Sequence, residues 1–342
     1  MVVVAAEDAG QLAEAQRVAI AAVIAVSRAP VPPRPADSAS SPHRRLGVEV
    51  RWRPDRPSTR LPSVSIIVPV HNRVDYTDAC LKALVGTIPR GLTAQVIVVD
   101  DASTDDTSSM LDVWMATDKR IAIMRNEERL GFIASCNRGA EAATGEVLVF
   151  LNNAAVPQEG WLLALLRTFR DYPDAGAVGG KLIYPDGRLQ EAGALVLADG
   201  TVKSLGRGAV EADAPRFNYV REVDYCSGAL LSTWRSLFLA LGGFDVHFRS
   251  TYYEDVDYCL SVRQRGYRVY YQPECVVVHH EWGSAGSDAL SKVKMLQTEN
   301  LPRFVEKWRH LLASQPLPDA RDGISAPPLA VLHGQVEGAV AN

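Results

Sequence analysis

Between residues 64 and 151 the chain repeats one pattern: a short run of aliphatic residues, a turn, a longer helical segment, and another aliphatic run. The runs are Val64–Val68, Val96–Val99, Ile121–Met124 and Val147–Leu151. Helical stretches intervene at Asp75–Val85, after Ser103, and at Phe132–Ala143. Ser103 with Asp106 three residues on reads as a capping box that opens the second helix. Few folds accommodate such alternation, because parallel strands need crossovers of this length and the crossovers take one hand. The pattern predicts an α/β fold with an open, mostly parallel sheet and helices on both faces. Ligands of such sheets sit beyond the carboxyl ends of the strands. Polar residues cluster there: Asn72 after the first strand, Asp100 and Asp101 after the second, Asn152 and Asn153 after the fourth.

The second half changes character. Pro185-Asp186-Gly187 and Ala198-Asp199-Gly200 signal hairpins, and helices are expected at Trp234–Leu241 and from about Asp255 to Arg265. The organisation predicted is an N-terminal helix within 1–28, a Pro/Ser-rich linker over 29–62, and a globular domain over 63–290. A closing amphipathic helix over 291–315 and a loose tail over 316–342 complete it. At 342 residues and 47% hydrophobic the chain can bury a full core. Its 36 basic and 40 acidic residues, net -4, leave no basic footprint for nucleic acid. Five scattered cysteines without a C-x-x-C pair argue against a disulfide framework or zinc site and favour a reducing cytoplasm. The apolar stretch Val18–Val26 falls short of the roughly 20 residues that span a bilayer, and Glu7 and Asp8 stand where a secretory signal is basic.

No G-x-G-x-x-G follows the first strand and no G-x-x-x-x-G-K-S/T run occurs, which removes the main support for a nicotinamide or phosphate-loop site. The first strand instead continues into Pro69-Val70-His71-Asn72, and the second ends Val98-Val99-Asp100-Asp101-Ala102-Ser103. A carboxylate there can accept hydrogen bonds from a nucleobase or ribose. Asp101 and Ser103 equally suit a turn and a helix cap. Asp100, on the last residue of a buried strand, would be costly without a partner.

Taken in order, these and later motifs resemble family 2 glycosyltransferases of GT-A fold, especially the rhamnosyl- and galactofuranosyl-type enzymes of bacterial surface polysaccharide assembly. The resemblance runs from Val64 to about Gly286. It rests on P-x-x-N, V-V-D-D-x-S, Asn126 with Leu130-Gly131-Phe132 and Asn137-x-Gly139, and L-N-N before Gly160-Trp161. Further along stand Tyr184-Pro185-Asp186-Gly187, Gly242-Gly243-Phe244-Asp245, Tyr253-Glu254-Asp255-x-Asp257 and Val278-His279. It implies an inverting transfer of a sugar from a UDP- or dTDP-linked donor to a glycan or lipid-linked glycan acceptor, in the cytoplasm at the inner face of the membrane. Asp255 would be the general base, with Glu254 beside it. Pro69, His71, Asn72, Asp100, Asp101, Gly131, Asn137, Asn152 and Asn153 would hold the nucleotide. Cys226, Ser227, Gly228 and Trp282 would face the acceptor. At a helix N-terminus the macrodipole favours an ionised Asp255. Asp257, about 200° further round the helix, is expected to be structural.

One departure stands out. Where relatives carry a metal-binding aspartate, this chain reads Leu151-Asn152-Asn153-Ala154. Asn153 and His279 are then the ligands left for manganese or magnesium, and two neutral groups make a weak site. Three readings stay open: a metal held mainly by the diphosphate, a metal-independent enzyme using basic side chains, or a sugar-nucleotide-binding scaffold without turnover.

Overall fold

A computed structural model describes residues 60–248, 252–281 and 289–317, with the side chains of 289–296 excepted. The expected N-terminal helix, nearly all of the linker, Trp282 and all but the start of the tail lie outside the described residues.

The βα alternation forms as expected. Strands β1 (Val64–Val70), β2 (Ala94–Asp100), β3 (Ile121–Arg125) and β4 (Val147–Leu151) alternate with helices α1 (Val74–Thr87), α2 (Thr107–Thr117) and α3 (Phe132–Ala142). Beyond them come β5 (Ala155–Pro157), α4 (Trp161–Asp171), β6 (Ala175–Ile183), β7 (Leu189–Glu191), β8 (Ala194–Val196) and β9 (Val202–Ser204). Then follow β10 (Arg221–Val223), β11 (Leu230–Trp234), α5 (Arg235–Leu241), α6 (Glu254–Gln264), β12 (Arg268–His279) and α7 (Ala289–Leu312).

The main sheet runs in the order β10-β12-β6-β11-β4-β1-β2-β3, with β5 on β12 and β7 on β6. Strands β1 to β4, β6 and β12 point one way, and β5, β7, β10 and β11 the other. Alternate residues of each central strand serve opposite faces. Ile67, Ile97, Leu148 and Phe150 join Ile133 and Cys136 of α3 on one; Ile66, Val68, Val98 and Val149 join Leu81 of α1 and Trp161 of α4 on the other. Each large apolar side chain buried this way contributes about 1.5–3 kcal/mol.

Because β1 pairs with β2 on one side and β4 on the other, the chain reverses its direction of winding at β1, and a crevice opens there. Pro69 helps to define it. β1 stays paired with β2 through Val70, but pairing with β4 ends at Ile67 and Phe150. The Val70 carbonyl faces β2, accepting the Asp101 N–H at 2.7 Å, so the ring nitrogen of Pro69 faces the β4 side, where no ladder bond is needed.

The capping box at Ser103 does not form, and α2 begins four residues later. The Ser103 hydroxyl accepts the Asn72 N–H at 2.8 Å, and its own N–H donates to Asp100 Oδ1 at 3.0 Å. These contacts tie the end of β1 to the end of β2. Asp105 Oδ1 meets the first helical amide, that of Thr107, at 3.0 Å.

Candidate active site

The loops after β1, β2 and β4 meet at the crevice. Asn72 and Arg73 both adopt left-handed backbone, with φ of 59° and 64°, where α1 begins. Such conformations in residues other than glycine cost on the order of 1 kcal/mol or more each, and they concentrate at functional sites. The Asn72 side-chain oxygen accepts the Thr104 N–H at 2.7 Å, and His71 Nδ1 lies 2.8 Å from the Asp101 carbonyl. Asp101, 4% exposed, accepts Asn126 Nδ2 and the Leu130 N–H on Oδ1, each at 2.7 Å, and the Gly131 N–H on Oδ2 at 2.8 Å. Gly131 has φ 88°, a turn that aims its amide at that carboxylate. Asp100 receives the Ser103 N–H and the Ser108 hydroxyl at 3.2 Å. Both aspartates thus brace the loops that follow β2 and β3.

Other expected nucleotide residues are engaged within the fold. Asn137 spans the Phe244 backbone, donating to its carbonyl and accepting its N–H, both at 2.8 Å. That amide clamps the turn that follows α5. Asn152 shapes the turn after β4, its Oδ1 accepting the Ala154 N–H at 2.8 Å. Asn153, 3% exposed, donates to Thr77 Oγ1 of α1 at 3.0 Å.

The antiparallel β11 starts where β4 ends, joined by the Asn152 N–H to the Ala229 carbonyl at 3.0 Å. This brings the Cys226-Ser227-Gly228 segment to the crevice. Asp255 meets it from α6: Oδ2 accepts the Gly228 N–H and Oδ1 the Val256 N–H, each at 2.8 Å. Burial raises the Asp255 carboxyl above its usual range, and the backbone donors act against that rise. A methyl at Gly228 would lie 3.5 Å from Asp255 Oδ2 and 3.6 Å from Glu254 Oε1, so glycine leaves this face of the carboxylates uncovered. Glu254 is buried beside them. Cys226 is buried against the Tyr270 carbonyl, with its thiol pushed well above the ordinary value. It serves packing rather than acceptor contact. Asp257 points away, as expected, to Trp308 Nε1 at 2.7 Å and Lys307 of α7.

The sequence reading missed Glu191 on β7. It is 5% exposed, accepts the Ser227 N–H on Oε1 at 3.1 Å and the Ser204 hydroxyl on Oε2 at 2.9 Å. Burial pushes its carboxyl up to about 7. A lone acid within Leu189-Gln190-Glu191-Ala192-Gly193-Ala194 was the available signal, because a charge among small apolar residues needs a reason.

The described residues offer few ligands for a divalent ion. Burial lowers the His279 ring to about 4 and keeps it neutral, and with Nδ1 held by Gln190 only Nε2 is left as a ligand nitrogen. Ala154 offers no ligand atom, and among the described residues no three His, Cys, Asp or Glu side chains converge. A chain of contacts links an arginine to the same segment. The Arg73 guanidinium lies 4.8 Å from the Tyr76 ring centre, Tyr76 packs on His280 at 5.1 Å, and the His280 N–H donates to the Ala154 carbonyl at 3.0 Å.

The chain is similar to known glycosyltransferases. Residues 65–217 match the family described as glycosyl transferase family 2. The chain is 29% identical over 246 residues to the O-antigen biosynthesis protein RfbC of Myxococcus xanthus, covering 70% of this chain and 19% of that one. It is 30% identical over 226 residues to the pre-mycofactocin glycosyltransferase of Mycobacterium tuberculosis, covering 66% and 44%. This chain therefore spans less than half the length of either relative. Among solved structures, GalNAc-T7 with UDP, GalNAc and Mn2+ superposes with a TM-score of 0.60 at 18% identity, covering 74% of this chain and 50% of that one. The mannosyltransferase PcManGT of Pyrobaculum calidifontis, with GDP-Man and Mn2+, gives 0.54 at 22% identity, covering 75% and 66%. The fold is that of the GT-A glycosyltransferases, and residues 65–217 are similar to glycosyl transferase family 2.

Proposed function

We propose that the protein is an inverting glycosyltransferase that moves a sugar from a UDP- or dTDP-linked donor to a hydroxyl of a glycan or lipid-linked glycan, with Asp255 as general base. The observation that carries this reading is the position of Asp255. Its carboxylate is oriented by two backbone amides at the mouth of the β1/β4 crevice, with its Gly228 side uncovered. The acceptor oxygen forms a bond to the anomeric carbon from the face opposite the leaving group. The bond to the diphosphate oxygen breaks with its electron pair, and the hydroxyl proton passes to Asp255. Oriented amides lower the reorganisation this transfer requires.

The nucleotide belongs at the ends of β1 and β2, over the braced loop of Leu130 and Gly131. The RfbC relative supports surface polysaccharide as the product class, which would place the work at the cytoplasmic membrane face. No helix among the described residues is long and apolar enough to cross a membrane. Arg73 is the group proposed to meet the charge of the leaving diphosphate. Arg73→Ala should lower transfer on the order of tenfold to a hundredfold with manganese, magnesium or chelator present; equal activity would remove Arg73 from this role.

Ala154 favours a second reading, a sugar-nucleotide-binding scaffold. Assays of donor hydrolysis and transfer with each metal and with chelator separate the two, since nucleotide binding without turnover of any donor would establish the scaffold. Asp255→Asn should abolish transfer with nucleotide affinity unchanged, and retained transfer would displace Asp255 as base.

A further inference from the structure

The Ser227-Gly228 peptide segment binds two carboxylates side by side. The Ser227 N–H donates to Glu191 Oε1 at 3.1 Å, and the next amide, that of Gly228, donates to Asp255 Oδ2 at 2.8 Å. Successive amides of one backbone segment thus anchor the two carboxyl groups, and beyond the effect of burial the charge of Asp255 reaches Glu191 and raises it. We propose that Glu191 is a positioning residue for the base. It carries the proton of this carboxyl pair, so that Asp255 stays ionised and receives the acceptor proton. The inference rests on the reading of Asp255 as base.

Two carboxylates that feel each other's charge do not both ionise readily, and such a pair loses its protons in two separated steps. Their environments decide the order. Asp255 has two backbone N–H donors and the N-terminus of α6, all of which favour its charged form. Glu191 has one backbone donor and one hydroxyl, and the Ser204 hydroxyl can turn to accept a proton as readily as give one. The groups facing Glu191 from the surrounding elements are Asp255, Arg207, Tyr225, Cys226, Cys259 and Tyr271. Burial pushes the phenols and thiols of that set upward, so they stay neutral. Arg207 is its cation, and the guanidinium is engaged by Glu281 at 2.6 Å. Glu191 titrates at about 7 in this setting. Between that value and the one at which Asp255 itself takes up a proton, the pair carries one negative charge, which is assigned to Asp255. Above the Glu191 value a second charge appears beside the crevice and repels the donor diphosphate.

The test compares pH profiles of kcat/KM for wild type, Glu191→Gln and Glu191→Ala, together with carboxyl NMR of the 13C-glutamate-labelled protein. Gln mimics the protonated acid and keeps an acceptor for the Ser227 N–H. It should match wild type within about threefold near pH 6 and extend the plateau above the wild-type decline near pH 7. Glu191→Ala leaves that amide without its acceptor and should lose activity at every pH. The NMR spectrum should contain a glutamate carbon titrating near 7 that is absent in Glu191→Gln and moves down in Asp255→Asn. A Glu191→Gln profile superimposable on wild type, or a spectrum with every glutamate titrating in the ordinary range, would overturn the proposal. The carboxyl titration does not depend on turnover, so it tests the pair even if Asp255→Asn shows that the base lies elsewhere.

Discussion

Asp100 and Asp101 are adjacent in sequence, and their partners come from different parts of the chain. Asp100 closes its own turn through Ser103, whereas Asp101 collects donors from Asn126, Leu130 and Gly131. That a polar group would stand at the end of β2 was legible from the strand pattern. Its partners were not, because no local rule relates a strand end to amides that fold back from beyond the next strand. The same limit hid Glu191, whose meaning depends on Ser227 and Asp255. Asp257 was readable because the helical period alone turns it away from Asp255. Replacing Asp101 by Ala strands the buried Asn126 amide and two loop N–H groups and should cost about 3 kcal/mol in urea unfolding. The same variant should weaken nucleotide binding by calorimetry, since the Leu130–Gly131 loop loses its brace. Unchanged affinity would show that this loop does not hold the donor.

At the scale of elements, the closing helix is fastened rather than merely packed. Lys307 of α7 bridges Asp245 at 2.9 Å and Asp257, while Trp308 is buried and donates to Asp257. Trp308→Ala should cost about 3–5 kcal/mol through cavity and hydrogen-bond loss combined, read by thermal or urea unfolding. The staple also has a pH dependence. Asp245 is held at about 2 by Lys307 and by the His247 amide, acting against the burial that would raise it. A carboxyl lowered on folding stabilises above its unfolded value and loses that contribution as pH falls through the folded one. Acid should therefore loosen α7 between about pH 4 and 2, and Asp245→Asn should flatten that part of the stability curve. The helix itself was legible in its amphipathic pattern. β6 was not, because Ala175–Ile183 includes three glycines, a composition that weakens any strand assignment. The structure supplies the reason: a Cβ at Gly179 would lie 2.3 Å from that of Cys226, and one at Gly180 would lie 2.2 Å from the Cys275 carbonyl. Neighbouring strands demand bare backbone there, which local propensity does not register.

Across the sheet as a whole, βα units form one half, the long parallel pair β6 and β12 with its antiparallel neighbours forms the other, and the crevice lies in the first. A nucleoside diphosphate that binds only the folded state at 100 times its Kd stabilises it by about 2.7 kcal/mol. A thermal-shift screen of UDP-, dTDP- and GDP-linked sugars should single out one donor, and that shift should shrink in Asp101→Ala. No shift with any of them would count against a sugar-nucleotide site. The missing N–H of Pro69 bears on how such a site survives change. A ladder that has run out of rungs leaves a gap whose width follows from strand spacing, not from the loops around it. Those loops can then vary in length and chemistry while the opening they surround keeps its dimensions.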